Sequence, residues 1–147
     1  MRPISRFRPT CALACLLLVA TGAVRATASV VTDPKPAGEA LSSGRATFRQ
    51  FCAPCHGPNG KGNGAVAPLL RKAPADLTQI RRRYNGIFPQ ADLEATLLAT
   101  SRDRTPLRLG TDELLWGPVF QSLSATPESA RARVVELLTY LESVQER

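Results

Sequence analysis

Two cysteines and a histidine within five consecutive positions, Cys52-Ala53-Pro54-Cys55-His56, restrict this chain more than any other stretch. A C-x-x-C-H run lets both thiols add to the vinyl groups of one haem, while the turn between them aims the next imidazole at the iron. Cys52 and Cys55 are then the thioether residues of a covalent haem c, and His56 Nε2 is the proximal iron ligand. The His56 Nδ1–H is expected to donate to a backbone carbonyl, which fixes the tautomer. Two other uses of a close cysteine pair fit less well. A thioredoxin-like redox pair needs a preceding strand in a βαβ setting, whereas the residues before Cys52 have helical spacing. A structural zinc site needs four ligands, and beyond residue 28 the chain holds two cysteines and one histidine.

The first 28 residues read as an export signal. Arg2, Arg6 and Arg8 form a basic start, Cys11 to Val24 is an uncharged, mostly apolar run, and Ala26-Thr27-Ala28 is a small-x-small cleavage site. The run is shorter than the ~20 residues a membrane-crossing helix needs. Cleavage after Ala28 and a periplasmic mature protein are therefore expected, with an uncleaved membrane anchor as the alternative. Four of the 19 basic residues and none of the 12 acidic ones lie in this segment, so its removal lowers the net charge from +7 to +3. Nucleic-acid binding loses its main support with those arginines.

The rest of the chain has the periodicity of an all-α domain of four or five short helices over residues 37–147, after a disordered lead-in at 29–36. A first helix from Ala37 to Cys55 places Leu41, Gly44, Phe48, Phe51 and Cys52 on one face. A last helix starts with Thr126 as N-cap, Pro127 at the first helical position and Glu128 near the positive end; Val134, Leu137, Leu138, Leu141 and Val144 form its stripe. These two helices are the natural crossing pair, with Gly44 against the Tyr140–Leu141 region. Shorter helical spacings join Leu77, Ile80 and Tyr84; Leu93 and Leu97; and Trp116, Val119, Phe120 and Leu123. Prolines and glycines punctuate 57–76, which reads as a loop. Aromatic residues make up 5% of the chain, so a bound porphyrin is expected to supply much of the apolar surface, and the apo-protein to be loosely folded.

Nearly the whole of this exported part resembles the class I cytochrome c family. The resemblance rests on Gly44, Phe48 and Phe51 before the attachment motif, and on Gly57-Pro58-Asn59-Gly60-Lys61-Gly62-Asn63-Gly64 and Ala67-Pro68-Leu69-Leu70 after it. Ala73-Pro74-Ala75-Asp76-Leu77-Thr78, Tyr84-Asn85-Gly86-Ile87-Phe88-Pro89, Trp116-Gly117-Pro118-Val119-Phe120 and the Leu138-Thr139-Tyr140-Leu141 end of the last helix complete it. It implies helices wrapped around a single haem, in a bacterial electron-transfer chain with redox partner proteins. One departure stands out. Where such relatives carry a methionine three residues before the tryptophan, followed by proline, this chain has Glu113 and Leu114. Its only methionine is Met1 and its only histidine is His56.

Methionine and a second histidine are thus excluded on the far side of the iron. An open or water-occupied site is expected first, Glu113 as distal ligand second, then a deprotonated lysine (Lys61, Lys72 or Lys35) or Tyr84. Leu114 or Leu115 would fill the methionine's volume. Losing the thioether ligand favours ferric iron, so a lower potential than in methionine-ligated relatives is expected. One-electron transfer is the leading function. A small-ligand-binding or sensing haem, and a haem subunit of an oxidoreductase complex, are the alternatives. An enzyme is the least favoured class, since peroxide cleavage wants a distal acid/base and the sole histidine is committed to iron. Arg81-Arg82-Arg83 is a solvated helix face or a docking patch. Trp116 is expected near the haem, and Asp112 and Glu113, being adjacent, point apart.

Overall fold

The computed structural model describes residues 35–101 and 115–146. Residues 1–34, where the export signal and lead-in are expected, and Arg102, Arg104, Arg108, Asp112, Glu113 and Leu114 lie outside the described residues. Among the described residues the regular structure is entirely helical, and no helix is long and apolar enough to cross a membrane.

The first helix, α1 (Ala37–Thr47), opens behind Pro36 with Glu39 in its first turn and Arg45 in its last, the charge order a helix dipole favours. It runs on without a break through a π-helical turn, Phe48–Cys52, into α2 (Ala53–His56). The expected helix is therefore present, with a wider turn inside it. Pro54 supplies the reason: it has no N–H for the i→i+4 ladder and its ring crowds the preceding turn. The chain answers with a longer bond from Ala53 N to Phe48 O.

Two 3₁₀ turns, Ala67–Leu69 and Leu77–Gln79, punctuate the long connection that follows, and the second leads directly into α3 (Ile80–Arg83). Then come α4 (Gln90–Leu98), α5 (Trp116–Ser122) and α6 (Pro127–Ser143). Helix α6 starts as expected. Thr126 Oγ1 accepts from Ser129 N (3.2 Å), and Ser129 Oγ accepts in return from Thr126 N (3.0 Å), with Pro127 next to the cap. The Glu128 carboxyl is held below its ordinary range by its own backbone N–H and the Thr126 hydroxyl.

The core lies between α6 and the helices packed on it. Ala130, Val134, Leu137, Leu138 and Leu141 of α6 are buried with Phe48, Ile80, Phe88 and Phe120. Each such large side chain contributes about 1.5–3 kcal/mol through burial. Phe48 meets Tyr140 with ring centroids 5.2 Å apart. Leu41, expected on the buried face, is instead 38% exposed, because it lies on the turn of α1 before the crossing point. Leu123 likewise ends α5 in solvent.

Gly44 is where α1 and α6 come closest. A Cβ there would overlap the carbonyl oxygen of Glu136 and stand 3.0 Å from Tyr140 Cβ. The expected neighbour Tyr140 is thus present, with the tightest approach one helical turn earlier. Gly38, in the same helix, has nothing within 4 Å of a Cβ. Gly44→Ala is expected to destabilise the domain by about 1–3 kcal/mol, lowering Tm by roughly 5–20 °C in thermal unfolding followed by circular dichroism. Gly38→Ala, gaining helix propensity without a clash, should raise Tm slightly.

Candidate functional site

Cys52 closes the π turn, Cys55 and His56 lie in α2, and Gly57, with φ +80°, stops the helix at once. A helix end leaves carbonyls without partners, and here the next segment supplies them. The N–H groups of Gly62, Gly64 and Val66 donate to the carbonyls of His56 (2.7 Å), Cys55 (3.0 Å) and Pro54 (3.0 Å). The glycine-rich stretch thus runs back along the cysteine turn. Gly64 permits this approach, since a Cβ would stand 2.6 Å from the Cys55 carbonyl carbon and would overlap the Pro54 oxygen.

His56 is oriented from the far end of the same loop. Its Nδ1 lies 2.8 Å from the Ala75 carbonyl oxygen, so Nδ1 carries the proton and Nε2 keeps its lone pair for a ligand bond. The Ala75 carbonyl is held by its neighbours. Asp76 accepts from Thr78 N (2.8 Å) and Thr78 Oγ1 (2.6 Å), Arg83 Nη1 donates to the Asp76 carbonyl (2.8 Å), and Leu77 N donates to Gly60 O (2.7 Å).

Cys52 and Cys55 are both free and partly buried. Burial pushes the Cys52 thiol up to about 12, and Cys55 beside it adds to the effect. A redox dithiol depends on a depressed thiol pKa and a ready thiolate; Cys52 has the opposite bias, in a helical setting. The preceding Phe51 belongs to an aromatic group with Trp116 (6.3 Å) and Phe120 (6.2 Å), and Trp116 stands 5.8 Å from Phe120. Trp116 is therefore packed against the residue next to the first cysteine.

Residues 41–104 match a family model described as Cytochrome c. The chain carries a c-type cytochrome domain. Searches among curated proteins and among solved structures returned no match. The all-helical architecture is that of a cytochrome c, and the family holds haem c covalently and uses it to transfer electrons. The residues present fit that group. The cytochrome offers two free thiols at attachment spacing and an imidazole whose second nitrogen is fixed by a carbonyl. Just beyond the pinned loop, Leu69 is 83% exposed and Leu70 is also open, apolar surface of the kind a macrocycle covers.

Other expected site residues fall differently. Lys35 Nζ pairs with Glu136 (3.0 Å) and bonds Ser43 Oγ (2.8 Å), and Lys61 Nζ pairs with Glu146 (2.6 Å). Those carboxylates hold both ammonium groups above the ordinary lysine range. Lys72 is exposed, and Tyr84 is half-buried against the core. Glu113 lies outside the described residues. In the arginine run, Arg81 bonds Glu142 (2.7 Å) and Arg83 Nη1 donates to the Asp76 carbonyl, with Arg82 and Arg83 both exposed.

The loop amides that cap the cysteine turn were missed in the sequence, although the Gly62-x-Gly64 alternation marks where two backbones can touch. Gly64→Ala in the cytochrome is expected to cut the yield of haem-loaded protein at least several-fold in a cytochrome-maturing host, measured as Soret absorbance against total antigen. The Asp76 carboxyl is held below its ordinary range, first by the Thr78 hydroxyl. Its folded pKa is lowered, so its stabilisation is present at neutral pH and is lost as pH falls through the depressed value. The Tm difference between wild type and Asp76→Ala should accordingly be constant from pH 7 to about pH 5 and vanish in stronger acid.

Proposed function

We propose that this cytochrome is an exported, periplasmic one-electron carrier in which Cys52 and Cys55 hold the haem through thioethers and His56 Nε2 binds the iron. The observation that carries the reading is the bond from His56 Nδ1 to Ala75 O, which commits one ring nitrogen and leaves the other for a metal, beside two free thiols. When bound, haem c supplies the one-electron change. The chain's own part is to orient the imidazole, raise its basicity through the Ala75 carbonyl, and seal the cysteine turn with the 62–66 amides. Electrons pass to and from redox partner proteins.

The far side of the iron is open or takes water, with Glu113 as the side chain that competes for it. Composition supports this, since the chain has no methionine but Met1 and no histidine but His56. The ion pairs of Lys35 and Lys61 weigh against those two amines as ligands. The same composition favours a second reading, a haem that binds a diatomic gas or small anion.

Optical spectra separate these. The ferric protein is expected to lack the iron–thioether charge-transfer band, and its potential should lie below those of methionine-ligated relatives. Carbon monoxide should bind the reduced protein rapidly; slow binding limited by departure of an internal ligand would replace the open site with a side chain such as Glu113. Rapid reduction of the ferric protein by a partner cytochrome or dehydrogenase, unchanged by carbon monoxide, supports the carrier over the sensor. Fractionation of an export-competent host should find the holoprotein in the periplasm with Ser29 as its N-terminus. Mass spectrometry showing no added macrocycle on peptide 52–56 would overturn the whole assignment.

A further inference from the structure

Beyond the last helix, Gln145 and Glu146 turn back onto the segment that holds His56. Gln145 Nε2 donates to the carbonyls of Leu77 (2.8 Å) and Leu141 (2.7 Å), and its Oε1 accepts from Arg81 N (2.8 Å). Glu146 N donates to Thr78 O (2.9 Å), while its carboxylate bonds Gln79 Nε2 and pairs with Lys61 Nζ (2.6 Å). Both accepting carbonyls, of Leu77 and Thr78, lie in the 3₁₀ turn Leu77–Gln79. We propose that Gln145 and Glu146 are positioning residues for His56: they latch segment 76–79 to the end of α6 and thereby fix the Ala75 carbonyl that receives the His56 Nδ1 proton.

The inference rests on His56 being the iron's proximal ligand. The path is short and made of directional bonds. Ala75 precedes Asp76, whose side chain is bonded to Thr78, and Thr78 and Leu77 are the residues the tail holds. Lys61 carries the same clamp to the glycine-rich loop, where Gly60 O receives Leu77 N and Gly62 N reaches His56 O. Through a carbonyl that polarises the imidazole, the tail sets ligand basicity. Slackening it makes the imidazole a weaker donor and ferric iron less stabilised.

The test uses the full-length holoprotein. Glu146→Pro deletes the N–H given to Thr78, and Gln145→Ala deletes the donor to Leu77; the double variant and Gln145→Ala alone are compared with wild type. Thr126→Ala is the control for mere destabilisation. It removes the cap at the other end of α6, about 25 Å away at 1.5 Å per residue. Glu146→Gln, which keeps the backbone N–H, is the conservative variant. Two properties are read: the reduction potential, and the exchange rate of the hyperfine-shifted His56 Nδ1–H in the ferric cyanide adduct, where the probe sets the far ligand. The double variant is expected to keep covalent haem, to shift to a higher potential, and to exchange that proton about tenfold faster or more. Gln145→Ala should show smaller shifts in the same directions, Glu146→Gln, which keeps the backbone bond but only one of the two carboxylate contacts, should shift least of the tail variants, and Thr126→Ala should match wild type. Tail variants that lose Tm but keep the wild-type potential and exchange rate overturn the latch. A wild-type adduct with no exchangeable imidazole N–H signal overturns the proximal assignment instead, and the latch with it.

Discussion

The bond from His56 Nδ1 to the Ala75 carbonyl joins two parts of the chain of unlike make-up. On one side is a rigid helical stretch, Ala37–His56, fixed to α6 through Gly44 and Phe48. On the other is a connection whose buried positions through residue 79 are glycines and Thr78. Every other feature of the site serves this meeting. The π turn lets the helix pass Pro54 and still end at His56, and Gly57 reverses the chain. The amides of 62, 64 and 66 then bind the loop to the cysteine turn, and the Asp76–Thr78 bonds present the carbonyl.

Much of this was legible in residues whose constraint is local. C-x-x-C-H implies a turn and a free imidazole nitrogen, and the expected carbonyl partner of Nδ1 is present. Thr126-Pro127 announces a helix start, and Val134, Leu137, Leu138 and Leu141 line its buried stripe. Gly44 announces a close crossing. What could not be read depends on pairing between distant segments. The carbonyl that receives His56 is 19 residues away in a loop without periodicity. Ser129 completes a capping box in which Glu or Gln is the usual signal. The tail's role has no signature at all, because Gln145 and Glu146 are ordinary polar residues until the fold brings them to Leu77 and Thr78.

Charge followed the same rule. Arg81-Arg82-Arg83 looks in sequence like one basic patch, yet the helical turn distributes its members, sending Arg81 to Glu142 and Arg83 to a backbone carbonyl. Lys35 and Lys61 look in sequence like mobile amines. Paired with Glu136 and Glu146, they act as struts, one joining the start of α1 to α6 and the other joining the glycine loop to the tail. Basic residues that look alike in sequence thus take different roles in holding the domain together.

The division of labour between packing and hydrogen bonding has a consequence for how the domain holds its cofactor. Apolar burial is concentrated where α6 meets α1, α4 and α5, whereas residues 57–79 are held by hydrogen bonds and one exposed ion pair. Each such bond is worth only ~0.5–1.5 kcal/mol net, and the exposed pair less, so the strap carrying Ala75 is the part of the domain most easily slackened. Leu69 and Leu70, open to solvent on that same connection, are the residues for which an apolar macrocycle would supply the missing burial. Two thioethers keep that surface at the site even when the strap opens. Covalent attachment suits a domain with this lopsided core, and Gln145 and Glu146 beyond α6 add hydrogen bonds on the side that the core leaves thin.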